Sequence, residues 1–96
     1  MNTQDQFKLL VGAYYGIKYL DEYALKEYLL SDIKKLIKGF IEENKNSGLN
    51  FDELESTYEK ELTKRTKLQD ALIVLQNING PLEAVLLIRS HLKEEK

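Results

Sequence analysis

Apolar residues in this chain recur at intervals of three and four and nowhere alternate steadily with polar ones, which is the pattern of apolar faces wound around helices. Phe7, Leu10, Val11, Tyr14 and Ile17 share one face. Leu25, Leu29, Ile33, Leu36 and Phe40 share another, with Leu30, Ile37 and Ile41 beside it. Phe51, Leu54, Tyr58, Leu62, Leu68, Leu72, Leu75 and Ile78 follow at near-heptad spacing. Thr and Val are few, and no stretch reads as a strand. The periodicity therefore confines the chain to an all-α fold.

Capping and breaking residues divide the pattern. Thr3 and Gln6 have the spacing of a capping box at the first N-terminus. Continuing the first stripe in phase would bury Asp21, Ser31 and Asp32. A break is therefore expected near Leu20 to Glu22, with Asp21 as the cap, and Ser31 offers an alternative break. The second region ends near Lys45, with Asn46 to Gly48 as its stop. Asn50, followed three residues on by Glu53 and by the acids Asp52 and Glu55, is the clearest helix start in the chain. From it a third helix is expected to run about 28 residues, about 40 Å, to Ile78, with Arg65 interrupting its seam.

Asn79-Gly80 then stops the chain, and Pro81 suits the first position of a last helix. That helix carries Leu82, Val85, Leu86, Arg89 and Leu92 on one side, and Ala84, Leu87 and Ile88 make it apolar nearly all round. It is expected at the centre of a bundle or at an interface between copies, with the charged end Lys93 to Lys96 frayed. The expected architecture is a single domain over 1–96, an antiparallel up-and-down bundle of four helices, or five if Ser31 is a break.

At 96 residues the chain has room for one modest core. Without Cys, disulfides, thiolate chemistry and Cys-based zinc sites are excluded, so packing alone, or packing on a partner or a second copy, must hold it together. Apolar residues at 43% and charged residues at 31% fit neither a disordered chain nor a membrane span. No run approaches the roughly 20 apolar residues of a spanning helix. Leu9 to Ile17 is preceded by Asp5, followed by Lys18 and lacks an Ala-x-Ala site, so a mature cytoplasmic protein is expected.

Catalytic chemistry finds little to work with. A bundle di-metal site needs Glu-x-x-His pairs, whereas Ile88 stands three before His91, the one His. Ser90 and His91 are neighbours that point about 100° apart on a helix. His91 reads as a solvent-facing residue near a helix end. There is no glycine-rich phosphate loop, and Asp52, Glu53, Glu55, Glu59 and Glu61 do not follow the ligand order of a calcium loop. No enzyme, cofactor or metal is expected.

Two groups of residues suggest contact surfaces. Five of the six Tyr lie between Tyr14 and Tyr28, and Tyr15, Tyr19 and Tyr23 form a stripe if one helix carries all three. Asp52, Glu55 and Glu59 form an acidic face suited to a basic partner. The leading expectation is a non-catalytic module that docks on a protein partner through these residues. Basic residues gather as Lys34, Lys35, Lys38 and as Lys64, Arg65, Lys67, which supports an alternative, a dimeric nucleic-acid-associated regulator. A net charge of −2 and a chain with only two Arg make nucleic acid the less favoured partner, and Glu61 is placed to pair with Arg65. A further alternative is a structural homodimer zipped through the last helix. In size, mild acidity and helical class the chain looks like small bacterial or phage accessory proteins such as bacteriocin immunity proteins, antitoxins and helical secretion chaperones. That likeness is one of architecture only.

Overall fold

In the computed structural model, which describes residues 2–21 and 23–94, the helical pattern resolves into five helices and no strand among those residues. They are α1 (Thr3–Ile17), α2 (Lys26–Glu43), α3 (Phe51–Glu61), α4 (Lys64–Asn77) and α5 (Leu82–Glu94). The fifth helix does not arise at Ser31, which lies inside α2. It arises because the long third helix is cut in two at Leu62-Thr63. Leu62 takes an extended conformation, and the Thr63 hydroxyl accepts from Thr66 N at 3.1 Å, so Thr63 caps a new helix.

The other ends follow local chemistry with small shifts from expectation. Asn2, not Thr3, caps α1, its side chain accepting from Asp5 N at 2.8 Å. α1 ends at Ile17 and tightens into a turn in which Tyr19 N donates to Gly16 O. The expected break after the first helix is present, but Asp21 is not the cap of the next one: α2 starts at Lys26, with Leu25 at the cap position and no side-chain cap hydrogen bond. Asn50 caps α3 as expected, accepting from Glu53 N, while its amide nitrogen approaches the Glu53 carboxylate. At the end of α4, Asn79 adopts a left-handed conformation with φ 52°, and Gly80 N donates to Leu75 O at 2.7 Å. This is the Schellman arrangement, with Asn in the place Gly usually takes. The Pro81 carbonyl accepts from Val85 N, so Pro81 stands just before α5 rather than inside it. Of the charged end expected to fray, Lys93 and Glu94 are helical, and Glu95 and Lys96 lie outside the described residues.

The bundle is organised around α1, which packs against α2, α3 and most extensively α4, while α5 packs against α4. The expectation of a central last helix is therefore corrected. α5 buries Ala84, Val85 and Ile88, and leaves Leu82 and Leu86 70% and 54% exposed. Glycine decides which helix is central. A Cβ at Gly16 would run into the Lys67 main-chain carbonyl, which cannot swing aside, so α4 can settle onto α1 there only because that side chain is missing; one at Gly12 would displace the Asp70 carboxylate. At the other end of α1, fully buried Phe7 gathers three helices. Its ring meets Phe51 edge-on at 4.9 Å, with Phe40 at 6.1 Å and Tyr58 at 6.4 Å.

Candidate functional site

The arrangement of α1, α2 and α3 leaves a half-open cleft of about 260 Å³ between them. Tyr14 and Tyr15 come from α1, Lys18 from its C-terminal cap, Lys34, Ile37, Lys38 and Ile41 from α2, and Glu55 from α3. Helical spacing explains the lining: Lys34, Ile37, Lys38 and Ile41 recur at three and four along one edge of α2. The two tyrosine rings stand edge to face, 5.3 Å apart and 87° to one another. The Lys18 ammonium lies 5.0 Å from the centroid of one ring and 5.1 Å from the other.

Tyr15 is tied into the site from several sides. Its ring is half-buried, and its hydroxyl is pushed up to about 12 by desolvation first, then by the fields of Glu55 and Glu59, with Glu59 also accepting its hydrogen bond. Lys67 lies 5.6 Å from the same ring. Of the residues expected at a partner surface, Tyr15, Glu55 and Glu59 are thus brought together across α1 and α3. Asp52 is exposed in the first turn of α3 and does not line the cleft.

The continuous stripe of Tyr15, Tyr19 and Tyr23 is not formed, because α1 stops at Ile17 and leaves Tyr19 in the following turn and Tyr23 in the connection to α2. Tyr19 carries Lys64 over its ring at 5.4 Å. The Tyr23 hydroxyl is buried with no hydrogen-bond partner among the described residues, and burial and the nearby Glu83 raise its pKa. His91, expected to face solvent, is half-buried in the last turn of α5.

The basic residues divide differently from their order in sequence. Lys34 and Lys38 enter the cleft, and Lys35 faces away beside Leu36. Lys67, expected among the phosphate contacts of the alternative reading, is 7% exposed and donates to Glu59 O at 2.7 Å. There it satisfies a carbonyl in the last turn of α3, where the helix dipole favours a cation. Arg65 Nη1 donates to Leu92 O at 3.2 Å, linking α4 to α5, and the break at Thr63 takes Glu61 and Arg65 out of one helix. Sequence reasoning alone misses Lys18. Its signal is its position three residues after Tyr15 and four after Tyr14, which stacks it on both rings.

A second titratable residue also emerges only from the packing. Asp70, on α4 beside Gly12, sits in a shallow pocket with Asp5, Lys8, Leu9, Leu62, Thr66 and Ile73. Desolvation lifts its carboxyl to about 6, and Lys8 offsets this only in part. Among the described residues no three His, Asp or Glu side chains gather as a metal site, and no helix is long and apolar enough to cross a membrane. No protein-family model, curated protein or solved structure significantly matches this chain.

Proposed function

We propose that this protein is a small non-catalytic module that docks on a protein partner through the cleft between α1, α2 and α3. The observation that carries the reading is the pairing of two half-buried tyrosine rings with lysines that form no ion pair among the described residues, in one concave surface. Aromatic side chains fixed by packing offer a large contact area at little entropic cost, and concave aromatic positions are where interface energy concentrates. The nucleic-acid alternative loses Lys67, whose ammonium is spent inside the fold.

The test is capture of partners from the native host at two salt concentrations, with and without nuclease. A stoichiometric protein that survives nuclease is expected. It should be lost with a Tyr14→Ala/Tyr15→Ala variant whose circular dichroism spectrum is intact. Capture unchanged by that variant refutes the site, and loss of all bound material with nuclease refutes the protein-binding reading.

A second reading, a homodimer through α5, is favoured by the exposure of Leu82 and Leu86 on a helix that packs chiefly against α4. Sedimentation should then give a dimer mass that Leu86→Glu reduces to the monomer. A monomer mass for the unsubstituted protein removes this reading.

A further inference from the structure

Resting on the docking reading, we infer that the cleft takes an acidic, extended segment of the partner, with a carboxylate side chain set between Lys18, Lys34 and Lys38 and the aliphatic side chain two residues along, which an extended backbone directs to the same face, against Ile37, Ile41 and Tyr14. The charge is the first argument. Three ammonium groups line the cleft against one carboxylate, Glu55, in a protein whose overall net charge is −2. None of the three lysines is ion-paired with any described residue, whereas Lys45 of the same region pairs with Glu42 at 3.0 Å. Lys34 and Lys38 stand one turn apart on α2, so their side chains can close on one carboxylate, and Lys18 approaches from α1 across the cleft.

Size and composition are the second argument. A volume of about 260 Å³ lies below the usual range of roughly 300–1,000 Å³ for a small-molecule site, and suits one or two side chains of a larger partner. Ile37, Ile41 and the tyrosine rings supply an apolar wall beside the ammonium groups, which a segment mixing acidic and aliphatic residues matches. Glu55 then separates peptide from polynucleotide. A carboxylate in the lining can accept a backbone N–H from an extended peptide, while the phosphodiester groups of a polynucleotide carry no donor and one negative charge per nucleotide, so they are repelled.

The probe is an acetylated and amidated hexapeptide, Gly-Leu-Asp-Glu-Leu-Gly, titrated into the ¹⁵N-labelled protein. The same peptide with Asn and Gln in place of its acids, and a thymidine octanucleotide, run in parallel. The acidic peptide should shift the amide signals of Lys18, Lys34, Ile37 and Lys38 saturably, and the neutral peptide should bind at least several-fold more weakly. Lys34→Glu/Lys38→Glu, two exposed positions whose reversal leaves the core intact, should weaken the acidic peptide by about tenfold or more. Shifts outside the cleft, equal binding of the neutral peptide, or tighter binding of the octanucleotide in the cleft would each overturn the inference. If the peptide leaves the cleft unmoved while partner capture still depends on Tyr14 and Tyr15, the acidic segment falls and the docking reading stands. If capture is also independent of those tyrosines, both fall.

Discussion

Replacing Gly16 by Ala adds one methyl group, yet it should be among the most damaging single-carbon changes in this protein. The new Cβ would overlap the Lys67 carbonyl oxygen and meet the Ala71 methyl at 3.0 Å. Restoring an ordinary contact requires α1 and α4 to part by roughly 1 Å, and the obstacle is backbone, which cannot swing aside as a long side chain would. Overpacking of this kind costs about 1–3 kcal/mol. The upper part of that range applies, because α1 and α4 form the most extensive helix pair and both carry fully buried side chains. Against this stands the gain of about 0.5–1 kcal/mol from replacing a helical Gly by Ala.

The net loss is therefore about 1–2 kcal/mol, a fall in melting temperature of roughly 5–15 °C for a domain of this size. Gly39→Ala supplies the control. Gly39 is helical and exposed on α2, and a Cβ added there would have nothing within 4 Å of it, so only the favourable backbone contribution remains, about 0.5–1 kcal/mol. Urea denaturation followed by circular dichroism should move the midpoint down for Gly16→Ala and up for Gly39→Ala, with the slope unchanged in both. If Gly16→Ala is as stable as the unsubstituted protein, α4 does not rest on the backbone of α1 at this point and the account of the central helix is wrong.

Asp70 should make stability depend on pH. Its native carboxyl titrates near 6 against 3.8 when unfolded, so between those values the native state holds more protons than the unfolded state. The associated stability is complete below about pH 3.8 and is lost as pH rises through about 6. Asp70→Asn should therefore stabilise the protein at pH 7 by about 1–2 kcal/mol after allowing for partial exposure, with the advantage vanishing toward about pH 4, as denaturation midpoints across that range will show. Parallel midpoint curves for the two proteins would remove Asp70 as the cause. Tyr23→Phe removes a buried hydroxyl that has no partner among the described residues, and thermal unfolding should find the variant unchanged or up to about 1 kcal/mol more stable. A loss of more than that would mean the hydroxyl is bonded in solution.

The helix pattern is legible in the sequence wherever one residue alone decides a boundary. Asn50 caps α3 because its side chain has a backbone N–H three residues on to satisfy, and Asn79-Gly80 ends α4 because the chain must turn left-handed there. The cut at Thr63 is hidden by the near-heptad run around it, yet the run carries a slip. Leu62 and Leu68 are six residues apart, so Leu68 falls about 100° from where a seven-residue step would place it. One straight helix cannot keep both on the same face, and breaking at a Thr that can cap lets both be buried. Apolar composition is a poor measure of which helix is central. α5 is about as apolar as α1, but α1 carries the glycines, and the distance of backbone approach decides which helix the others surround.

The same cut determines what the cleft can present. If α3 and α4 were one rod, Lys67 would lie two turns beyond Glu59 along a single axis, too far for its ammonium to reach that carbonyl. Restarting the helix at Lys64 changes the direction of the chain, and the Lys67 ammonium comes within 2.7 Å of the Glu59 carbonyl oxygen. Lys67 then fastens the end of α3, and Gly16 receives the Lys67 carbonyl. With α3 held there, Glu55 lines the cleft and both Glu55 and Glu59 act on Tyr15, while Lys34 and Lys38, on the separate helix α2, have no carboxylate paired with them among the described residues. Lys67, one of the basic residues that the nucleic-acid alternative places on phosphates, is thus a structural clamp. The lysines that the proposed docking surface offers, Lys18, Lys34 and Lys38, are ones with no ion pair among the described residues.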